Sequence, residues 1–202
     1  VDIDHLNRLV SAPIPVEAGD FSLTVYSGDD GREHLAFTLG SLHGQQDVLV
    51  RVHSECLTGD LLGSRRCDCG LQLQESLKRI GAAQRGVLIY LRQEGRGIGL
   101  VEKLRAYNLQ DQGLDTVEAN LQLGHSVDSR DYLVAAQILR DLEVASVQLL
   151  TNNPAKVDGL KGYGVVVSQR LSLQVQAHAF SADYLRVKAR KLNHLLDLTA
   201  ID

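Results

Sequence analysis

The sequence predicts an α/β fold, a single domain with a mixed β-sheet flanked by helices and a β-rich N-terminal portion. Three observations carry this. The first quarter alternates apolar and polar residues in short runs separated by Gly/Asp turns. From about residue 70 onward, helical-period stretches alternate with short apolar runs, the pattern of helices packed on a sheet. At 202 residues and 44% hydrophobic content the chain supports a substantial core, and no low-complexity linker divides it. The expected organisation is a lead-in over 1–18, one domain over 19–196 and a tail over 197–202.

The elements follow in order. Pro13 and Pro15 break any helix in the lead-in. The alternation at 21–26 predicts a half-buried strand, the Ser27-Gly-Asp-Asp-Gly31 cluster a turn, and 34–39 the antiparallel return. A third strand is expected at 48–53. Leu71, Leu73, Leu77 and Ile80 share a helical stripe that ends near Gly81. The apolar run 86–91 reads as a buried strand. Leu100, Leu104 and Tyr107 suggest a helix, 116–123 a short one, and Leu133, Val134, Ile138 and Leu142 a stronger one over 131–142. A strand at 147–150, a short helix at 154–160, a strand at 164–167 and a last helix over 182–196 complete the chain.

The net charge of −4 argues against a nucleic-acid or membrane surface, because both partners are anionic. Three crowded cysteines point to a reducing compartment and metal binding, not to a disulfide frame. No window resembles a secretory signal or a membrane span, so a cytoplasmic location is expected. The chain begins at Val1, which leaves open a longer parent polypeptide.

The chemistry concentrates in Arg51-Val-His-Ser-Glu-Cys56 and the segment running to Arg66-Cys-Asp-Cys-Gly70. Cys56, Cys67 and Cys69 fill three corners of a zinc tetrahedron, and a fourth corner left to water makes such a metal catalytic. The two-residue step between Cys67 and Cys69 puts both sulfurs on one side of an extended turn and Asp68 on the other. A structural zinc completed by His53 or another residue, and three ordinary buried thiols, are the alternatives. His53 and Glu55 flank the first cysteine and are candidates for ligand contact.

Other stretches carry weaker signals. Gly95-x-Gly97-x-Gly99 lies between a strand and a helix, but Leu100 stands where a dinucleotide fingerprint needs glycine, and Arg92 to Glu94 separate it from the strand. A polar loop whose glycines let backbone approach a ligand, flanked by Glu94 and Arg96, is the better reading. In Thr151-Asn-Asn-Pro-Ala-Lys156, Asn153 caps a helix with Pro154 at its first position, a helix start suited to phosphate, with Thr151 and Lys156 alongside. In His125-Ser-Val-Asp-Ser-Arg-Asp131, a helix cap and surface ion pairs compete with Asp128 as a base beside Arg130.

Taken together, Arg51 to Asp60, Arg66 to Gly70, Arg92 to Arg96, Asp111 to Asn120 and Leu150 to Pro154 closely resemble GTP cyclohydrolase II, over nearly the whole chain from about 19 to 196. The resemblance implies zinc-dependent hydrolysis of GTP with opening of the imidazole ring. Formate and pyrophosphate are released, giving 2,5-diamino-6-(5-phosphoribosylamino)pyrimidin-4(3H)-one at the first committed step of riboflavin biosynthesis. It implies one Zn²⁺ per chain on Cys56, Cys67 and Cys69, and Mg²⁺ with the triphosphate. GTP contacts fall on Arg51, Val52, His53, Ser54, Glu55, Gln72, Glu94, Gly95, Arg96, Thr116, Thr151 and Lys156.

The same resemblance makes Asp128 a proton acceptor and Arg130 either a nucleophile at the α-phosphorus or an electrostatic clamp, with Tyr107 near the base and the metal. A carboxylate accepts from the N1–H and N2–H₂ edge of guanine, and Glu94 and Glu118 are candidates. A homodimer is implied. Pro15-Val16, Gly97 and the stretch 173–182 depart from the family pattern without touching a proposed catalytic group. The alternatives are a paralogue stopping at a formylated product and an inactive zinc-stabilised nucleotide-binding or dimerisation module. A 3,4-dihydroxy-2-butanone 4-phosphate synthase domain ahead of Val1 is neither required nor excluded.

Overall fold

The structure, a computed structural model, describes residues 6–126, 129–175 and 182–197. They group into two compact units. The first draws its described residues from 1–53, 74–92 and 131–173, and the second from 54–73, 93–130 and 174–202.

The first unit carries the sheet. Its strands are β1 (Asn7–Val16), β2 (Gly19–Ser27), β3 (Glu33–Leu39), β4 (Val48–Ser54), β5 (Gly86–Leu91), β6 (Val147–Leu150) and β7 (Val167–Leu171). They lie in the order β1-β2-β3-β5-β4-β6-β7. Pairing is antiparallel from β1 through β3 to β5, and parallel from β4 through β6 to β7. The fold is therefore α/β with a mixed sheet and a β-rich N-terminal portion, as its sequence predicts.

Local chemistry sets these strands. Gly31 takes a left-handed φ of 68° in the β2–β3 turn, where Asp30 Oδ1 accepts from Arg32 N. Gly86 opens β5 where a Cβ would stand 2.5 Å from Leu49 O, so only glycine permits that approach. The core joins Val48, Val50 and Val52 of β4, Val87, Ile89 and Leu91 of β5, and Leu149 of β6 to Ala135, Ile138 and Leu139. Those last three belong to α5 (Leu133–Asp141). Tyr26 is wholly buried and ties β2 to the end of that helix by donating to Asp141 Oδ2 at 2.6 Å.

Two strands differ from expectation. The lead-in forms β1, whose residues are all exposed, where Pro13 and Pro15 argue only against a helix. It is an edge strand with a partner on one side only, which tolerates prolines on its open side. The last strand begins at Val167 instead of 164. Gly164, at φ 84°, ends α6 (Pro154–Gly162), and Val165 N donates back to Leu160 O before pairing starts.

The second unit holds α1 (Leu57–Asp60), the start of α2 (Cys69–Ala83), a 3₁₀ turn (Glu94–Gly97), α3 (Gly99–Asp111), α4 (Thr116–Gln122) and α7 (Ala182–Lys191). Helix α7 stops short of residue 196 because Asn193 is left-handed, with φ 53°, and His194 N folds back onto Lys188 O. No helix among the described residues is long and apolar enough to cross a membrane.

Candidate metal centre and substrate residues

The centre lies in the second unit. The sulfurs of Cys56, Cys67 and Cys69 all fall within 4.8 Å of one another, with Cys56 Sγ and Cys67 Sγ 3.6 Å apart. Cys56 immediately precedes the single-turn helix α1, where its N–H donates to Asp60 Oδ2 at 3.0 Å. Cys69 is the first residue of α2. Two glycines allow the segments to close. A Cβ on Gly59 would stand 2.9 Å from Cys67 Sγ, and one on Gly70 would meet Gly59 O at 2.3 Å.

Asp68 takes separate partners, Gln72 Nε2 at 2.6 Å and Lys188 Nζ at 2.7 Å, consistent with the two-residue step that separates it from the sulfurs. Lys103 Nζ lies 3.1 Å from Cys56 Sγ and 2.7 Å from Glu94 Oε1. Glu94 also accepts from Leu57 N at 2.6 Å through Oε2 and from Gly95 N at 2.8 Å through Oε1. This carboxylate therefore ties together α1, α3 and the 3₁₀ turn.

Hydrogen bonds from Cys67 and Cys69, followed by the nearby Lys103 charge, hold the Cys56 thiol far below its ordinary range. The bond to Cys56 pushes Cys67 up to about 11, and bonds to the other two thiols raise Cys69. Burial works against the Lys103 charge, but the Cys56 sulfur and Glu94 more than offset it and its pKa is raised. Burial likewise raises Tyr107, partly opposed by Lys103 and by a bond to Thr58, so it stays a phenol at neutral pH. The donor set fits zinc: three buried or half-buried sulfurs converge, and no histidine or carboxylate among the described residues joins them as a fourth ligand. His53 does not complete the group; its ring stacks on Tyr90 at 5.4 Å in the first unit.

The other expected site residues divide between the units. In the first, Arg51 Nη1 donates to Leu150 O at 2.9 Å and Lys156 Nζ to Val52 O at 2.7 Å. Arg170 Nη1 donates to Thr151 O at 3.0 Å. Arg51, Val52, Thr151 and Lys156 thus gather about the C-terminal ends of the parallel strands β4 and β6, the usual place for ligands in such sheets. Asn153 caps α6 through Ala155 N, with Pro154 at its first position.

In the second unit, Ser54 Oγ accepts from Gln93 Nε2 at 2.9 Å, while Glu55 is half-buried. Thr116 opens α4 beside the capping box of Asp115 and Glu118, whose carboxylates also meet Lys191. Gly95 and Arg96 both take left-handed φ values, 63° and 64°. Arg96 Nη1 is buried with no hydrogen-bond acceptor among the described residues. Its backbone O accepts from Ser129 N, and Gly97 packs so close that a Cβ would stand 3.2 Å from Ser129 Cβ. Arg130 is half-buried, and Asp128 lies outside the described residues.

Lys103, Asp68 and Lys188 are absent from the expected site. Lys103 had a sequence signal, since it lies four residues before Tyr107 and shares its helix face. The expected stripe on α3 misjudged that face. Leu104 is 45% exposed, whereas Lys103 is 8% exposed and Ala106 3%.

The sequence model of GTP cyclohydrolase II matches residues 7–172. The riboflavin biosynthesis protein RibBA of Bacillus subtilis (strain 168) is 55% identical over 193 residues, covering 95% of this chain and 48% of the relative. RibBA of Salinispora tropica is 55% identical over 194 residues, again covering 95% and 48%. The chain spans about half the length of the curated relatives it matches. Among solved structures it is similar to RibBX, a two-domain 3,4-dihydroxy-2-butanone 4-phosphate synthase from A. baumannii. The TM-score is 0.50 at 26% identity, covering 83% of this chain and 40% of the other. With a family match over most of its length and the three cysteines in one cluster, this chain belongs to the GTP cyclohydrolase II family.

Proposed function

We propose that this chain hydrolyses GTP, opening its imidazole ring and releasing formate and pyrophosphate to give 2,5-diamino-6-(5-phosphoribosylamino)pyrimidin-4(3H)-one in riboflavin biosynthesis. The observation that carries this reading is the trio Cys56, Cys67 and Cys69, three sulfurs without a fourth protein ligand among the described residues, in a chain of this family. Cys56, Cys67 and Cys69 would hold zinc there, and the metal would supply Lewis acidity for activating water toward C8.

The chain's own residues do the rest. Tyr107, kept protonated by burial, donates a hydrogen bond, and Asp128 accepts a proton. Arg130 stabilises charge at the α-phosphorus, either as a clamp or as a covalent nucleophile. Lys156 and Thr151 serve the phosphates at the start of α6, with Arg51, Val52, His53, Ser54, Glu55, Gln72, Gly95 and Thr116 as further GTP contacts. The buried Arg96 Nη1 supports an anionic or carbonyl acceptor from a ligand, because a buried guanidinium N–H without an acceptor is costly. Glu94 belongs to this set too, although its oxygens already serve Lys103, Leu57 N and Gly95 N. Mg²⁺ accompanies the triphosphate. A cytoplasmic homodimer completes the reading.

A second reading is a family fold kept as a nucleotide-binding or dimerisation module without turnover. Incubation with GTP, Zn²⁺ and Mg²⁺ separates the possibilities. Formate and pyrophosphate in equal amounts support the full reaction, pyrophosphate without formate a formylated product, and neither the inactive module. In Cys67→Ser, zinc content and formate release should both collapse, because a hydroxyl is a far weaker ligand for this metal. Full zinc occupancy in that variant would remove the metal assignment.

A further inference from the structure

The ammonium of Lys103 is fixed between an anion and a sulfur. It lies 2.7 Å from Glu94 Oε1 and 3.1 Å from Cys56 Sγ, on a side chain almost closed to solvent. Glu94 cannot swing away easily, since Leu57 N and Gly95 N hold its two oxygens. Gly95 lets the loop close on α3, because a Cβ there would stand 3.2 Å from Lys103 Cβ at a φ of 63°. Cys67 receives the backbone N–H of Cys69, and among the described residues no ammonium is hydrogen-bonded to Cys67 or Cys69. Cys56 is thus set apart from its two fellow sulfurs by geometry alone.

We propose that Lys103 is a positioning residue for the metal, acting through Cys56 Sγ to weaken that sulfur as an electron donor and to keep the Glu94 carboxylate from facing it. The inference rests on the reading of the three cysteines as a zinc site. A charge-assisted N–H···S bond draws electron density from the sulfur, leaving the metal a stronger Lewis acid than three equal thiolates would. Without the ammonium, the Glu94 carboxylate and the Cys56 thiolate stand as two anions in a poorly solvated site. Their repulsion works against holding the Cys56 sulfur in place beside the other two. Lys103 therefore serves both assembly of the site and its electronic poise, without touching substrate.

Cobalt(II) tests this, because its thiolate charge-transfer absorption reports the sulfur donors directly. Metal-stripped protein is titrated with Co²⁺, and stripped samples are checked for native circular dichroism. The wild type should bind one Co²⁺ per chain. Lys103→Leu should bind about 10–100-fold more weakly, the range for lost outer partners of metal ligands, and its absorption should move to lower energy. Lys103→Arg, which keeps an N–H donor and the charge, should recover most of both. If the Leu variant does not fold, Lys103→Gln, uncharged and of similar reach, should show the same weakening. Wild-type affinity and spectrum in a folded Leu or Gln variant would overturn the role of Lys103 and leave the metal site standing. Failure of the wild type to bind cobalt would overturn the metal reading and this inference with it.

Discussion

In the first unit, the bonds from Arg51, Lys156 and Arg170 end on main-chain carbonyls, those of Leu150, Val52 and Thr151. In the second, Lys103 meets Glu94 and Cys56, Lys188 meets Asp68, and Arg66 meets Asp111. A carbonyl dipole orients a cation without cancelling its charge, whereas a carboxylate does both. The first set of bonds fixes where these side chains lie at the ends of β4 and β6. The second suits a scaffold that must hold reactive sulfurs in fixed places. Arg66 and Asp111 are exposed, but the Lys103 and Lys188 pairs are buried like Arg51 and Lys156, and the two sets should fail differently when cut.

The sharpest cut is Asp68→Ala. Lys188 is 9% exposed, and burial opposes its charge while Asp68 raises its pKa. Removing the carboxylate leaves a buried ammonium without its anion and also takes the acceptor from Gln72. The expected loss is about 3–5 kcal/mol of unfolding free energy, read from denaturant midpoints with and without zinc. A loss below about 1 kcal/mol would mean that water reaches Lys188 and that this pair resembles an exposed one.

Lys156→Met is the matching cut in the first unit. It removes one charged donor and leaves Val52 O short of a partner, but strands no opposite charge through that bond. About 1–3 kcal/mol is expected, smaller than for Asp68→Ala. A larger loss at Lys156 would collapse the contrast between carbonyl-held and carboxylate-held cations. If Lys156 serves phosphate, the same variant should weaken binding of GTP more than of guanosine.

The legibility of the sequence divides along the same line. The sheet's inner strands and α5 were readable from apolar runs such as 86–91 and from the helical spacing of Leu133, Val134, Ile138 and Leu142. Of these, Ile138 lies in the core and Val134 and Leu142 pack against it. The three cysteines were readable because few residue types ligate zinc. Strand β1 was not, since edge exposure removes alternating burial and its prolines argue only against a helix. The partners of the sulfurs were hidden for another reason. Lys103 and Lys188 look like solvated helix residues in sequence, and only tertiary placement shows which lysine is buried against which anion. An inward-facing lysine inverts the amphipathic pattern that sequence reading relies on, as α3 shows.

The smallest effect separates an exposed carboxylate–lysine pair from the buried ones. Asp115 caps α4, accepting from Val117 N at 2.8 Å and Glu118 N at 3.1 Å, and its other oxygen meets Lys191. Partial burial raises its pKa, but Lys191 and the two amide donors outweigh this and hold the carboxyl below its ordinary value. A depressed carboxyl stabilises the fold fully above its unfolded pKa of about 4, and that contribution fades as pH falls through the lower folded value. Asp115→Ala should therefore cost about 1 kcal/mol at pH 7, the usual worth of a cap. The wild type and variant should converge in urea melts as pH drops below about 4. Asp115→Asn, which keeps a capping oxygen but no charge, should retain most of the cap and lose the pH dependence. If the Asn variant is instead as weak as Ala at pH 7, the ion pair with Lys191 outweighs the cap. This exposed pair would then behave like those around the sulfurs.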